Sequence, residues 1–180
     1  MTGPATIREL TAADRAALVF IFRHLSEASR YQRFLCVKRE LGARDLDRLI
    51  DVDHWHREAL IAWSPVPRAP IGVARYVRAA DFDLAELAIT VVDDWQRRGV
   101  GEQLLLELRE RALRAGVRRF TATLLRSNRG ALALVRRLGP TTVTAADHDV
   151  VELTVPAAAP LPLTASHRGV IGLSGRRLAG

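Results

Sequence analysis

The stretch that most restricts the fold is VVDDWQRRGVGEQLLLELRERALRAG, residues 91–116. The end of an apolar strand is followed by a short turn with Gly99 and Gly101, and then by leucines at helical spacing, among them Leu104 and Leu108. Backbone N–H groups at the start of a helix point outward and carry partial positive charge, and glycines leave room for an anion beside them. The residues therefore predict a strand, a turn and a helix, and the turn is either an anion-binding site or an ordinary connection.

The charge and spacing of this turn narrow the kinds of ligand it fits. Arg97 and Arg98 add positive charge to it. The chain contains neither the GxxxxGK[ST] loop that binds nucleoside triphosphates nor the GxGxxG turn that binds dinucleotides. Those two nucleotide-binding motifs are therefore excluded, while a phosphorylated ligand of another kind stays open.

The segments on both sides of residues 91–116 alternate between strand and helix patterns. β-rich runs bounded by turn residues predict strands, and apolar residues at helical spacing predict helices, the first of them preceded by Thr11 and Asp14 in capping-box positions. The predicted strands span 5–10, 58–63, 70–77, 83–92, 117–125, 141–145 and 149–155, and the predicted helices span 11–25, 41–51, 100–115 and 128–138. This order predicts one mixed α/β domain over residues 1–156. Residues 157–180, which are rich in Pro, Ala, Gly and Arg and lack periodicity, predict a flexible C-terminal tail.

Composition limits the environment and the partners of the chain. Cys36 is the single cysteine, no apolar run approaches the roughly 20 residues that span a bilayer, and the first residues lack the pattern of a secretory signal. We therefore expect a cytoplasmic protein without disulfides and without a membrane span. The net charge of +7 is compatible with nucleic acid, an acidic protein or a phosphorylated ligand, but nearly all of the basic charge is arginine, which a genome-wide compositional bias also produces. Nucleic acid is the least expected partner, because the chain has no nucleic-acid-binding motif.

The turn also resembles a known motif. QRRGVG, residues 96–101, is similar to the Q/R-x-x-G-x-G/A turn of the GCN5-related N-acetyltransferases, the GNAT family, and NRGALALVRRLG, residues 128–139, is similar to the N-x-x-A-x-x-L-x-x-x-x-G segment of the same family. The resemblance covers most of the chain, roughly residues 5–155. It implies the GNAT fold, an α/β (α+β) architecture with a central mixed, mostly antiparallel sheet of about 6–7 strands flanked by about 4 helices. It also implies an acyltransferase that uses acetyl-CoA as co-substrate and needs no metal.

The resemblance further implies which residues contact the CoA thioester. In this family the backbone amides of the turn bind the CoA pyrophosphate, and the preceding strand pairs with the pantetheine arm where it separates from its neighbour. One exposed strand N–H then polarises the thioester carbonyl. The implied cofactor-binding residues are Ile89, Val91, Gln96, Arg97, Arg98, Gly99, Val100, Gly101, Asn128 and Ala131. From the residues alone, Asn128 is also a suitable helix N-cap.

Glu86 is the candidate catalytic residue. Strand alternation places Glu86, Ala88 and Thr90 on one face, where small neighbours leave room for a substrate and a partly desolvated carboxylate gains a higher pKa. Such a group suits proton removal from an alkyl ammonium, whose pKa near 10.4 leaves roughly one molecule in 2500 as free amine at pH 7. The resemblance implies Glu86 as general base, while a strand glutamate by itself is also compatible with an exposed or ion-paired surface role. The interval from Glu86 to Gln96 is one residue shorter than in some relatives, which predicts a missing or shifted bulge in this strand.

Three segments indicate the acceptor. Residues 25–35 (LSEASRYQRFL), 72–78 (GVARYVR) and 85–101 (AELAITVVDDWQRRGVG) resemble bacterial protein lysine acetyltransferases that modify acyl-CoA synthetases. The resemblance implies a protein lysine as the preferred acceptor, on an acyl-CoA synthetase-like partner. The alternatives are a small amine as acceptor or a non-catalytic acyl-CoA sensor, and the sensor is favoured by Val135, which stands where many members carry a tyrosine as general acid. Arg33, in the first segment, either lines the mouth of the acceptor or cofactor site, together with Arg30, or is solvated at the surface.

A pair of histidines, His54 and His56, is the strongest candidate for metal binding in the sequence. No further histidine or cysteine completes a recognisable set of ligands around this pair. We therefore predict no metal site, and expect a polar loop or a substrate contact at these positions.

Overall fold

The computed structural model describes residues 5–80 and 83–158, which form one seven-stranded sheet with helices on both faces. The strands are β1 (Thr6–Glu9), β2 (Arg57–Trp63), β3 (Pro70–Arg78), β4 (Leu84–Val91), β5 (Arg119–Leu125), β6 (Thr142–Asp147) and β7 (Val150–Pro156), and the helices are α1 (Arg15–Arg23), α2 (Glu27–Phe34), α3 (Ala43–Ile50), α4 (Val100–Arg114) and α5 (Arg129–Arg136). The strand order is β1-β2-β3-β4-β5-β7-β6, and only β4 and β5 are parallel neighbours. The predicted mixed, mostly antiparallel sheet is confirmed.

The described residues contain five α-helices, one more than the sequence predicts. In place of the single helix expected over 11–25, the structure has a short 3-10 turn followed by α1. The helix then ends at Arg23, and α2 begins at Glu27. The Ser26 hydroxyl caps α2 by accepting from Ser29 N–H at 3.2 Å. None of the α2 residues is buried. The sequence EASRYQRF therefore lacks the apolar periodicity from which a helix is predicted.

The sheet is covered on both faces by helices that bury leucines against it. On one face, Leu104 and Leu108 of α4 are fully buried, and Gly72 of β3 allows close packing because a Cβ atom there would lie 3.2 Å from Leu104 Cδ1. On the opposite face, Leu18 and Ile21 of α1 are buried. Each such side chain contributes about 1.5–3 kcal/mol. The two apolar layers therefore hold β3 and β4 in the middle of the structure.

β4 separates from β5 part of the way along its length. Residues 84–86 of β4 pair with 119–121 of β5, and the pairing stops there. On its other side, β4 stays paired with β3 over residues 85–91 without a shift of register. The two strands therefore separate without a bulge in β4, in agreement with the short interval between Glu86 and Gln96.

Two expectations about the ends of the chain stay predictions. The flexible tail was predicted over 157–180, and residues 159–180 lie outside the described residues. The domain boundary at residue 156 is likewise untested. Among the helices of the described residues, none is both long and apolar enough to cross a membrane.

Candidate active site

The separation of β4 from β5 leaves backbone hydrogen-bonding groups of β4 without a strand partner. Val92 N–H donates to the Ile71 carbonyl at the β3 side at 2.9 Å. Because successive residues of a strand direct their N–H and C=O groups to opposite sides, Leu87, Ile89 and Val91 face the side that β5 has left. An extended substrate arm can add to this side as a further strand. The backbone of the two predicted residues, Ile89 and Val91, is placed as that role requires.

The turn between β4 and α4 presents a row of backbone N–H groups. Arg97 and Gly99 have positive φ values of 58° and 83°, and the chain enters α4 at Val100. The N–H groups of residues 98–102 have no acceptor among the described residues. A Cβ atom at Gly99 would meet nothing within 4 Å, so the space beside the turn is open. Free N–H groups at the positive end of a helix dipole fit a pyrophosphate.

The side chains of Arg97 and Arg98 add positive charge to this turn. Both are exposed, and Arg98 Cζ lies 5.3 Å from the centre of the Trp95 ring. No described carboxylate forms an ion pair with either guanidinium group. Both charges are therefore available to a phosphorylated ligand.

Gln96 and Asp93 hold the turn against α2. Gln96 Nε2 donates to Asp93 Oδ1 at 2.7 Å and to the Val91 carbonyl at 3.1 Å. Asp93 also accepts from Ser26 N–H at 2.6 Å and from the Ser29 hydroxyl. Burial raises the pKa of Asp93, but hydrogen bonds, from the Ser29 hydroxyl first, outweigh burial and leave the pKa below its ordinary value. Gln96, predicted as a cofactor residue, therefore braces the turn with its side-chain N–H donors.

Glu86 lines a pocket of about 410 Å³ on the face of the sheet that carries α2 and α3. Ala88 lies beside it on β4, and Phe34 and Leu49 contribute apolar walls. Ala88 and Thr90 line the adjoining space beneath α1, so the predicted alternation of Glu86, Ala88 and Thr90 on one face is confirmed. Glu86 is also the last β4 residue paired with β5. Its side chain therefore lies where the two strands begin to separate.

The Glu86 carboxylate is exposed and forms no hydrogen bond or ion pair with a described residue. The expected partial desolvation stays a prediction, and in the chain alone the side chain is accessible to solvent. The reason is that its cross-strand neighbours, Val77 of β3 and Thr121 of β5, are themselves at least partly exposed. The carboxylate is free to meet an ammonium group that enters the pocket.

Three arginines line the same pocket: Arg33 of α2, Arg48 of α3 and Arg75 of β3. Arg75 lies directly across from Ala88, and its Nη1 donates to the Arg48 carbonyl at 3.3 Å. Burial lowers the pKa of Arg33 to about 10, helped by the charge of Arg75 and opposed by the Glu86 carboxylate. Burial also lowers the pKa of Arg75. Positive charge is therefore concentrated beside Glu86.

Most of this structure, residues 22–139, matches the family model described as Acetyltransferase (GNAT) family. The chain belongs to the GNAT family. The matched range contains the open edge of β4, the turn before α4, and α5. Membership confirms the predicted fold family and the predicted class of enzyme, an N-acetyltransferase, and acetyl-CoA is the acetyl donor of this family.

Named relatives agree with this assignment. The chain is 30% identical over 135 residues to Acetyltransferase PA5475 of Pseudomonas aeruginosa. This match covers 74% of the chain and 73% of that protein. The chain is 34% identical over 115 residues to Acetyltransferase Pat of Mycolicibacterium smegmatis, but this match covers 63% of the chain and only 34% of Pat. Among solved structures, the GNAT domain of S. lividans PAT matches with a TM-score of 0.77 and 31% identity, over 86% of this chain and 91% of that one.

The two glycines of the GNAT turn have different physical roles. Gly99 adopts a left-handed conformation that residues with a Cβ atom rarely adopt. Gly101 lies inside α4, and a Cβ atom there would be 3.4 Å from Leu134 Cδ2 of α5. The Val100 side chain between them is buried, so only the backbone of Val100 can contact a cofactor.

The second GNAT motif lies at the start of α5. Asn128 Oδ1 accepts from Ala131 N–H at 3.0 Å, so Asn128 is the N-cap of this helix. The cap occupies the Ala131 N–H and leaves the Asn128 side-chain N–H groups without an acceptor among the described residues. Contacts of Asn128 and Ala131 with the cofactor stay predictions. Val135 is buried, and its side chain offers no proton for a leaving group.

The pocket contains an arginine that the sequence did not predict. Arg75 was not predicted, although a charged residue between Val73 and Val77 on one face of an apolar strand was a signal for it. Arg33 was proposed together with Arg30, but only Arg33 lines the pocket. Arg30 instead donates to backbone carbonyls of α1. The difference arises because the two side chains leave α2 in different directions.

The histidine pair is tied to nearby carboxylates. His54 Nδ1 lies 2.7 Å from Glu58 Oε1, and His56 Nδ1 lies 3.6 Å from Asp53 Oδ2. Over residues 5–80 and 83–158, no group of three or more His, Cys, Asp or Glu side chains is arranged to hold a metal ion.

Proposed function

We propose that this GNAT enzyme acetylates the side chain of a lysine in a protein, with Glu86 as general base. The observation that carries the proposal is the position of Glu86, inside the pocket and at the point where β4 leaves β5. One end of the open β4 edge and the pocket meet at this residue. An amine that arrives there lies between a carboxylate and the place where an acyl group would be held.

In this proposal the residues of the chain bind and orient both substrates. The N–H groups of residues 98–102 and the two exposed arginines of the turn hold the pyrophosphate of acetyl-CoA, which supplies the activated acetyl group. The N–H groups of Ile89 and Val91 hold its extended arm. Glu86 takes a proton from the acceptor ammonium, so that the neutral amine can attack the thioester carbonyl. A C–N bond forms, the C–S bond breaks, and CoA leaves as a thiolate that receives the second proton of the amine nitrogen, directly or through water. A β4 N–H favours the negative charge that develops on the carbonyl oxygen.

The choice of a protein lysine as acceptor is supported by where the resembling segments lie. Residues 25–35 and 72–78, which resemble bacterial protein lysine acetyltransferases, supply the α2 and β3 walls of the pocket. The exposure of Glu86 leaves an approach for a lysine side chain on a protein surface. We therefore propose an acyl-CoA synthetase-like protein as the partner.

Release of free CoA from acetyl-CoA by the purified protein tests this function. The acceptors are an acyl-CoA synthetase and, separately, a panel of small primary amines. We expect release that depends on the synthetase, together with an acetylated lysine detected by mass spectrometry and lost when that lysine is replaced by arginine. Acetylation of small amines alone would show that the protein acceptor is wrong.

A further inference from the structure

The pocket beside Glu86 carries positive charge that the described residues do not neutralise. Its lining includes three arginines and two carboxylates. Asp45, one of the carboxylates, lies 2.6 Å from Lys38 Nζ and accepts from Gly42 N–H at 3.1 Å, so it is already engaged at the start of α3. Glu86 alone is left beside the arginines, and no described cation lies within 4 Å of its carboxylate.

Arg33 is a partly buried guanidinium group without a hydrogen-bond acceptor in the described part of the chain. No described residue accepts from its N–H groups, and its nearest aromatic contact is Phe34, whose ring centre lies 5.1 Å from Arg33 Cζ. Removing a cation from water without a partner is unfavourable. The lowered pKa of Arg33, caused by burial and by the charge of Arg75, reflects that cost. A partner that arrives with the substrate would offset it.

Arg75 lies on the same face of the sheet and is held by α3. Its Nη1 donates to the Arg48 carbonyl in the last turn of α3, which leaves its remaining N–H groups for a ligand. Arg75 pairs with Ala88, two residues beyond Glu86 on β4. Diagonal neighbours of this kind are within reach of long side chains. Arg33, Arg75 and Glu86 therefore border one space.

We propose that Arg33 and Arg75 bind an anionic group of the acceptor, a carboxylate next to the reactive amine, while Glu86 receives the proton of that amine. Two cations alone would repel an approaching ammonium group, and a carboxylate beside it removes this repulsion. The planar fork of arginine also matches both oxygens of a carboxylate.

The proposal rests on the proposed function and narrows its substrate class. On a protein acceptor, the carboxylate belongs to an aspartate or glutamate adjacent to the lysine. On a small acceptor, it belongs to the same molecule as the amine. In both cases the enzyme selects an amine in acidic surroundings.

Binding of matched acceptor pairs tests the proposal. The first pair is a short peptide with a central lysine flanked by aspartates and the same peptide with asparagines. The second pair is an ω-amino carboxylate and its amide, in which methylene groups separate the amine from the carboxyl carbon. Affinities for the CoA-saturated protein are measured by titration calorimetry. We expect the acidic member of a pair to bind at least about tenfold more tightly, the effect of one charge-assisted hydrogen bond. A preference confined to the peptides indicates a protein acceptor, and one confined to the small pair indicates a small amine.

Variants separate binding by the arginines from a general effect of charge. Arg33→Gln and Arg75→Gln should each reduce the preference, whereas Arg33→Lys and Arg75→Lys should retain part of it because the charge remains. Arg114→Gln, which removes an exposed charge in the last turn of α4, is the matched control and should leave the preference unchanged. Thermal unfolding of each variant verifies that it is folded.

Different experimental outcomes would contradict the arginine subsite and the proposed acetyltransferase activity. Equal affinity within both pairs, no binding of any acidic member, or a preference that persists in the Gln variants would overturn the arginine subsite. Acetyl transfer at equal kcat/KM to acidic and neutral acceptors would also overturn it and would leave the transferase intact. Absence of transfer to every amine would instead count against the proposed function.

Discussion

Replacing Glu86 with glutamine removes the carboxylate and keeps the size of the side chain. Because the carboxylate is exposed and forms no described hydrogen bond or ion pair, the substitution breaks no contact that holds the fold or the turn before α4. We therefore expect unchanged CoA affinity and a small loss of stability, because the Glu86 carboxylate offsets part of the positive charge of Arg33 and Arg75. Proton transfer by a positioned side chain contributes about 10²–10⁴-fold, so kcat/KM at pH 7 should fall by that amount.

The pH dependence of the variant gives the sharper result. A primary alkyl amine with a pKa near 10.4 is neutral in roughly one molecule in 2500 at pH 7 and in roughly three of ten at pH 10. With a base, the enzyme can use the abundant ammonium form, and kcat/KM should change little over this range. Without a base, the enzyme can react only with the fraction of the acceptor that is already a neutral amine. We therefore expect kcat/KM of Glu86→Gln to rise about tenfold per pH unit and to approach the wild-type value near pH 10.

CoA release measured with a thiol reagent from pH 6 to pH 10 provides the assay. Asp45→Asn is the matched control, since it removes the other carboxylate that lines the pocket, one already bonded to Lys38. The control should keep the flat profile of the wild type. A loss in Glu86→Gln that is equal at every pH, or the absence of any loss, would refute the general-base role. A loss of similar size in Asp45→Asn would assign the effect to the charge of the pocket.

Three further substitutions test the parts of the structure that support the site. Gly99→Ala should lower the free energy of unfolding in urea by about 1 kcal/mol, because φ of 83° strains a residue with a Cβ atom, whereas Gly101→Ala, the matched control inside α4, should leave it unchanged or raise it. Asp14→Asn should remove an acid-sensitive part of the stability. The hydrogen bond from Arg8 lowers the pKa of Asp14 from 3.8 to about 2, so this contribution is full above about pH 4 and is lost as the pH falls toward 2. Melting temperatures between pH 2 and pH 5 check it, with an expected effect on the order of 1–2 kcal/mol; parallel curves for the two proteins would contradict it. Asp93→Asn should loosen α2 from the turn and lower the unfolding free energy by roughly 2 kcal/mol, since a charged acceptor is lost, and it should weaken both CoA and acceptor binding in calorimetry. Weakening of neither ligand would show that this brace does not shape the site.

The brace at Asp93 connects the two halves of the site. It ties the N-terminus of α2 to the end of β4 and to Gln96 of the turn. The same helix carries Arg33 into the pocket. One carboxylate therefore positions both the proposed anion-binding residue and the N–H groups of the turn.

Features that depend on local spacing could be predicted from the sequence alone. Gly99 in the turn at residues 96–101, the helix that follows it, and the alternation of Glu86 with Ala88 were all readable from it. Each depends on backbone geometry within a few residues, where the periods of strands and helices are encoded directly. The polar helix α2 was not predicted, because it buries no residue and its sequence therefore has no apolar residues at helical spacing.

The way in which distant segments meet is visible in the folded chain and not in the sequence. The structure showed that β4 leaves β5 after Glu86, that Arg33 and Arg75 border one pocket, and that the Gln96 side chain turns inward to Asp93. Arg33 and Arg75 come from a helix and a strand that are brought together when α1, α2 and α3 pack on one face of the sheet. Such contacts depend on how buried surfaces pack across the whole fold. The periodicity of residues along the chain does not show which distant surfaces pack together.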